Sequence, residues 1–366
     1  MTEQDSLISF VIPLWNRAKT ICYCLDSILS QAYLFPVEII VIDDASSDDS
    51  CSLIETIIGD QQERLAESTL AKELPCSVSA FNNLDPVAEF RIRSSIKLIR
   101  LQDHQGAAAA RNKGIEESAG RYIWFVDSDD FIAKGALSRL YPYLNCSKQY
   151  DIIRFSTQKY TTIPRSFEIL SESGGLKEMS NRSLEDLKFL LSSGTVWSRV
   201  FNRAFISDLR FNTEFSYSED SLFTWRATLR SNTMAYLQET LYGYMYNPES
   251  LTSVKPYERF ACYIKVVKEY LSAIQESAIS LKQKQSLLEE CEKRLYFHAF
   301  YTFSYHEITE QMWDIWYDVY FSVMVKNKLR SVVKRGLSRV LWGAHVNKLF
   351  ILVFNMMRKG IPVLIK

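Results

Sequence analysis

Asp127-Ser128-Asp129-Asp130 puts three carboxylates into four positions, directly after Tyr122-Ile123-Trp124-Phe125-Val126. The preceding run is apolar, aromatic and β-branched, which reads as a buried strand. Carboxylates at the end of a buried strand are costly unless a cation joins them. Hard oxygen ligands suit Mg²⁺ or Mn²⁺, so the chemistry indicated is a divalent metal ion carrying a phosphate. That points to a nucleoside diphosphate. Alternate side chains of an extended chain leave on the same side, so Asp127 and Asp129 face one ligand. Asp130 reads as the cap of the turn.

Other polar groups recur at the ends of apolar runs. Asn16 and Arg17 follow the run 7–14, which contains Pro13, and Asp43-Asp44 closes the run 37–42. A strand-end pair of this kind can accept from a nucleobase N–H or a ribose hydroxyl. Of the two, Asp44 reads as the binding residue and Asp43 as a helix N-cap, with Ser46 as the other capping candidate. Arg111 follows the small residues 106–110, which let backbone approach a ligand closely; it is either a ligand-side cation or a helical arginine bridging to Asp127 or Asp44. Glu219-Asp220 opens a helical pattern, where acidic residues favour the helix dipole. The second reading of that pair is a general base that takes the proton of an acceptor hydroxyl as the bond forms. Trp197 is either a platform for the apolar face of a sugar or a core residue.

These residues need a frame that gathers strand ends on one edge. Apolar runs at 7–14, 37–42, 96–101 and 122–126 alternate with helical patterns at 18–32, 51–58 and 106–118, the last closed by Gly120 as a C-cap. Such alternation means βαβ units and a mostly parallel sheet, with ligands beyond the carboxyl ends of the strands. Further strands are expected at 150–160 and 235–246 and a short helix at 184–191, with 195–202 either a strand or a turn. Helices follow at 257–276, 281–305 and 311–325. The stretch 59–95 is about twice as long as a usual helix-to-strand connection and is read as an insertion.

The set of segments resembles the family 2 glycosyltransferases, nucleotide-sugar enzymes of the GT-A fold. In order, they are FVIPLWNR (10–17), VIDDASSDDS (41–50), GAAAARNKGIEESAG (106–120), YIWFVDSDDFI (122–132), VWSRVFNRAFI (196–206), SEDSLF (218–223) and YNPESLTS (246–253). The resemblance spans residues 6 to about 255 and departs at Pro248-Glu249, where the family often has a basic residue. It implies a Rossmann-like α/β sheet in a GT-A domain over 1–255 and a helical region over 256–366. It implies an inverting hexosyl or N-acetylhexosaminyl transfer from a nucleoside diphosphate donor, a UDP-sugar, to a saccharide or lipid-linked saccharide, in bacterial surface polysaccharide synthesis. Carried over by position, Asp129 ligates Mn²⁺ or Mg²⁺ and Asp127 reaches the metal or the ribose. Asp44 holds the uracil side, while Pro13, Asn16, Arg17, Arg111 and Ser128 line the nucleotide. Asp220 is the base, Glu219 assists, and Trp197 meets the acceptor.

Composition narrows the alternatives. The chain has 366 residues, 43 basic and 43 acidic, but residues 326–366 hold ten Lys/Arg and no acid, leaving 33 basic against 43 acidic before them. Apolar residues on one helical face of that tail, with arginines on another, suggest an interfacial segment on an anionic membrane. No run of 18 apolar residues suggests a spanning helix, and the polar start 1–6 lacks signal-peptide character. The seven cysteines, without metal spacing, imply reduced thiols and a cytosolic compartment, and together with the tail the expectation is a cytoplasmic protein peripheral on the inner face of the cell membrane. The acidic body speaks against nucleic acid. A phosphoryl- or nucleotidyl-transfer protein would need a Gly-rich phosphate loop, and neither GxGxxG nor GxxxxGK[ST] occurs. The remaining rival is a non-catalytic, membrane-attached scaffold that binds nucleotide sugars.

Overall fold

The computed structural model describes residues 6–31, 35, 37–67, 95–164, 174–246 and 256–291. The chain divides into two compact units, residues 1–248 and 249–366. In the first, strands β1 (Ile8–Leu14), β2 (Val37–Asp43), β3 (Ser95–Arg100) and β4 (Tyr122–Phe125) alternate with helices α1 (Ile21–Leu29), α2 (Ser50–Glu67) and α3 (Ala107–Glu117). Then come β5 (Phe131–Ile132), α4 (Ala136–Leu144), β6 (Ile152–Tyr160), β7 (Leu176–Met179), α5 (Leu184–Ser192), β8 (Arg199–Asn202), α6 (Glu219–Arg230) and β9 (Met234–Met245). The described part of the second unit is α7 (Pro256–Glu276) and a helical stretch at 281–291.

The strands form one sheet in the order β3-β2-β1-β4-β8-β6-β9-β5, with β7 paired to β9. From β3 to β4 every pairing is parallel. Beyond β4 the directions mix, with β8 antiparallel to both β4 and β6 and β6 parallel to β9. All seven residues of β1 are buried, as expected for a central parallel strand covered on both faces. Its side chains divide by alternation. Phe10, Ile12 and Leu14 pack with Trp124 and residues of α1 and α4, while Val11 packs with Phe125, Ile115 of α3 and Phe223 of α6.

The chain leaves β1 for β2 and β3 on one side and returns to β4 on the other. The strand order therefore reverses between β2 and β4, and a crevice opens at the carboxyl end of β1. Pro13 is compatible with that central position. Val11 O accepts from Val126 N (3.0 Å), so odd positions of β1 face β4. The β1–β4 register ends at Val11, and the proline's missing N–H falls beyond it.

Several elements differ from the sequence expectation. Helix α2 runs through Gly59 to Glu67, so the long connection begins inside a helix. Gly120 is not the cap of α3. Ser118 takes that place in extended geometry, and Gly120 is required because a Cβ there would lie 2.6 Å from Ser9 N. Of the segment 195–202 only Arg199–Asn202 is strand; the residues before it form a turn. The expected basic tail and the helix at 311–325 lie outside the described residues. Among the described residues no helix is long and apolar enough to cross a membrane, and all six cysteines are free thiols.

Candidate active site

The acidic loop leaves β4 at the crevice and turns at once, Asp130 N donating to Asp127 O (3.0 Å). Asp130 points inward and is buried. It accepts from Tyr242 Oη (2.7 Å) and Met245 N (2.7 Å), which fastens the loop to β9. Burial, with Asp127 and Asp129 close by, pushes its carboxyl well above the ordinary range. Tyr242 Oη also accepts from Asp127 N (3.1 Å). The side chains of Asp127 and Asp129 keep 27% and 29% exposure, so they are the two carboxylates open to a ligand. Burial and the neighbouring Asp127 raise Asp129, against the pull of Arg17.

Arg17 reaches this pair from the end of β1. Its Nε lies 3.3 Å from Asp129 Oδ2, and its Nη1 donates to the carbonyls of Trp15 (3.3 Å) and Asn16 (3.1 Å). Asn16 adopts φ 51°, and its Oδ1 accepts from Ser47 N (2.8 Å) and Asp48 N (3.3 Å). Asn16 thus ties the loop after β1 to the loop after β2. Asp43 does local work, accepting from Ser46 N (3.1 Å). Pro13 and Ser128 are buried and shape the edge from within.

Asp44 is also buried and stands apart from the acidic loop. Its two oxygens accept from Gln105 N (2.7 Å) and Gly106 N (2.7 Å), and His104 Nδ1 lies 2.8 Å from Oδ2. Gly106 sits at φ 89°, a conformation that L side chains rarely adopt, so glycine is needed where the backbone turns its N–H to Asp44. The loop so held presents the His104 ring, which stacks on Trp15 at 4.3 Å. Trp15 is 40% exposed. The sequence reading passed over both rings. The available signal was an aromatic at a strand end, where burial is not needed to complete the core.

Arg111 joins two acidic segments that are far apart in sequence. Its Nη2 donates to Asp127 Oδ1 (2.9 Å) and its Nη1 to Glu219 Oε1 (2.9 Å), from a side chain that is almost fully buried. Burial alone would lower this guanidinium, but the carboxylates of Asp127 and Glu219 outweigh it and hold it above its ordinary value. Of the two bridges considered from sequence, the one to Asp127 forms. Asp44 is bound elsewhere.

Asp220 follows Glu219 in the first turn of α6, its Oδ1 accepting from Ser221 N (2.6 Å). Burial first, then the charge of Glu219, push its carboxyl up to about 7, with Arg111 opposing. A carboxyl poised near neutrality suits proton acceptance. Trp197 is partly buried and stacks on Tyr242 (4.7 Å) and Tyr244 (5.6 Å), while its carbonyl accepts from Trp124 Nε1 (3.0 Å). It is therefore connected through Tyr242 to Asp127 and Asp130.

The fold thus brings Arg17, Asp127, Asp129, Arg111, Glu219 and Asp220 into one cluster, with Trp197 at its border and Asp44 holding a separate loop with Trp15 and His104. Among the described residues no three His, Cys, Asp or Glu side chains converge as a metal site.

A family model described as glycosyl transferase family 2 matches residues 9–66 and 83–199. An uncharacterized glycosyltransferase of Bacillus subtilis, EpsJ, is 26% identical over 299 residues, 79% of this chain and 73% of that protein. The GalNAc(5)-diNAcBac-PP-undecaprenol beta-1,3-glucosyltransferase of Campylobacter jejuni is 23% identical over 298 residues, 80% of this chain and 82% of that protein. Residues 1–349 of S. aureus TarS, solved in complex with UDP-GlcNAc, superpose with a TM-score of 0.67 at 19% identity, covering 98% of this chain and 94% of that one.

Proposed function

Because the chain belongs to glycosyl transferase family 2 and has the GT-A fold, we propose that it transfers a sugar from a UDP-sugar to a hydroxyl of a saccharide or lipid-linked saccharide, with inversion. One observation carries the proposal: Arg111 links the open carboxylate Asp127 to the helix start that bears Asp220. A donor-side pair and a proton acceptor thereby share one site. The C. jejuni relative, whose name describes an undecaprenol-linked acceptor, and the UDP-GlcNAc complex of TarS support the classes of acceptor and donor.

The residues fit a divalent cation. Asp127, Asp129, Glu219 and Asp220 bring four carboxylates to two guanidinium groups, Arg17 and Arg111. With all four ionised, two negative charges remain. Asp127 and Asp129, the two open carboxylates, would hold the cation and leave room for the phosphate and water oxygens that Mg²⁺ and Mn²⁺ accept readily. Held there, the cation would offset charge gathering on the departing diphosphate.

The chain's own residues do the rest. Trp15 at the end of β1 and His104 on the loop that Asp44 fixes offer a stacked aromatic face to the uracil. Arg17 adds positive charge beside the diphosphate. The acceptor hydroxyl oxygen attacks the anomeric carbon and its proton passes to Asp220. The bond from that carbon to the diphosphate breaks, and its electron pair leaves with UDP. One direct displacement inverts the centre. Glu219, held by Arg111, keeps Asp220 basic. Trp197 borders the acceptor, and the basic segment from residue 326 supplies an anionic-membrane contact at the cytoplasmic face.

A screen of UDP-, GDP- and TDP-sugars for metal-dependent hydrolysis and thermal stabilisation tests this. Selective stabilisation and hydrolysis with a UDP-sugar are expected. Indifference to all three nucleotides, with metal present, would reject the proposal.

A further inference from the structure

Two arginines stand directly opposite each other on antiparallel β6 and β8, Arg154 against Arg199. Like charges in that position repel and ordinarily destabilise a sheet. Arg199 is fully buried, and among the described residues no carboxylate forms an ion pair with either arginine. What they meet instead is the carboxyl end of α5. Arg154 Nη1 donates to Phe189 O, and its guanidinium lies 4.4 Å from the Phe189 ring. Arg199 Nη2 donates to Leu190 O (2.6 Å) and Ser193 O (2.7 Å). Its Nη1 donates to Thr195 O and to Ser198 Oγ (3.0 Å). The last carbonyls of a helix lack partners within it and carry partial negative charge, so they suit a cation.

The segment that Arg199 gathers, residues 190–198, has two further contacts. On one side it carries Trp197, whose ring stacks on Tyr242, the anchor of Asp127 and Asp130. On the other it lies against the first turns of α6. Gly194 O accepts from Thr224 Oγ1 (3.1 Å), and a Cβ at Gly194 would meet Ser221 Oγ at 2.0 Å. Ser221 is the residue directly after Asp220. One buried guanidinium therefore sets both the wall that holds Trp197 and the surface against which the Asp220 helix rests.

We propose that Arg199 is a positioning residue for the acceptor half of the site: it fixes the 190–198 segment, and through Gly194 the start of α6, so that Asp220 and Trp197 face the reacting hydroxyl. This rests on the transferase reading above. Arg199 touches neither the acidic loop nor the loop at 104–106 and reaches Asp127 and Asp130 only indirectly, through Trp197 and Tyr242, so its influence falls on proton acceptance ahead of donor affinity. Lysine keeps the charge but is a single point donor and cannot hold four divergent acceptors in one plane.

The test uses the full chain with UDP plus Mn²⁺ as the binding probe, and UDP-glucose and UDP-N-acetylglucosamine as hydrolysis probes. In Arg199→Lys, kcat for hydrolysis should fall at least tenfold, with donor KM and UDP affinity within about twofold of the unsubstituted protein. Amide hydrogen exchange should quicken at 193–198 and 218–224 and stay unchanged in β1 and β4. Gly194→Ala keeps the arginine but forces the segment from Ser221, and it should reproduce the same pattern; it decides the matter if the lysine variant does not fold. Unsubstituted rates in both variants, or a parallel loss of UDP affinity and kcat, would overturn the proposal. An unsubstituted protein that hydrolyses neither donor counts against the transferase reading, and the exchange measurement then still decides on Arg199.

Discussion

Replacing Asp220 by asparagine should raise the melting temperature of the protein while removing transfer. Burial first, and Glu219 second, lift the Asp220 carboxyl from 3.8 to about 7. A lift of that size corresponds to about 4 kcal/mol of disfavoured ionisation. The unfolded chain releases its proton at the ordinary value, so the folded state binds that proton more tightly. The penalty is therefore absent below about pH 4, grows as pH rises and is complete above about pH 7. Asparagine is uncharged and keeps the Oδ1 that accepts from Ser221 N. Allowing for relaxation and water entry, about half of the penalty, ~2 kcal/mol, should be recovered at pH 8, or about 4–8 °C for a unit of this size. Thermal melts of both proteins between pH 5 and 8 read this directly, and the gap should shrink by more than half by pH 5. A variant that melts at or below the unsubstituted protein at pH 8, or a gap that ignores pH, would refute the reasoning.

With donor and metal saturating, transfer should fall about tenfold per pH unit below about 7, since the proton acceptor must be ionised; a flat rate from pH 5 to 8 would remove Asp220 from that role. Asp129→Asn should abolish metal-dependent UDP binding in calorimetry. Asp130→Asn should leave that binding, because Asp130 points inward to Tyr242 Oη and Met245 N and not toward the ligand. Equal losses of binding in the two variants would undo that division of the loop. Trp15→Ala should weaken UDP binding by roughly 10–100-fold, the ~1–3 kcal/mol of one base–aromatic stack, and leave inorganic diphosphate unaffected; similar losses for both ligands would place the tryptophan away from the base.

The parallel half of the fold was readable because its strands are buried on both faces. Runs such as 7–14 and 37–42 are apolar throughout, and a strand-end Asp or Arg breaks that pattern visibly. The other half was harder for local reasons. Helix α4 contains Pro142, a residue that argues against a helix interior. Strand β5 is two residues long and exists by pairing with Tyr242 and Gly243 of β9. Strand β7 has one buried residue of four, so no period marks it. Asp127, Asp129 and Glu219-Asp220 stood out as carboxylates placed where a plain core has none. Arg199 did not, because three of its four partners are carbonyls, and carbonyls have no signature in a sequence. Trp15 and His104 were missed for a related reason: their stack depends on Asp44 holding a loop 60 residues further along the chain, a contact that no local pattern contains.

The electrostatics of the site follow from where Arg111 stands. Asp129 and Asp220 both have raised carboxyls, and burial is the leading cause in each. Their second causes differ. Asp129 is opposed by Asp127, its neighbour in the loop, and Asp220 by Glu219, its neighbour on the helix. Arg111 lies between these two like-charged pairs and bonds to one member of each, Asp127 and Glu219. In each pair the carboxylate bound to Arg111 raises the partner that Arg111 leaves free. On the loop the free partner is open, and its remaining negative charge is available to a cation. On the helix the free partner is buried, and the same field makes it available to a proton. A nucleoside diphosphate arriving alone would deepen the charge deficit at Asp129, whereas one arriving with a divalent cation is close to neutral. On the proposed transferase reading the arrangement would favour donor and metal together, and it would leave Asp220 as the group near neutrality to take up the acceptor's proton.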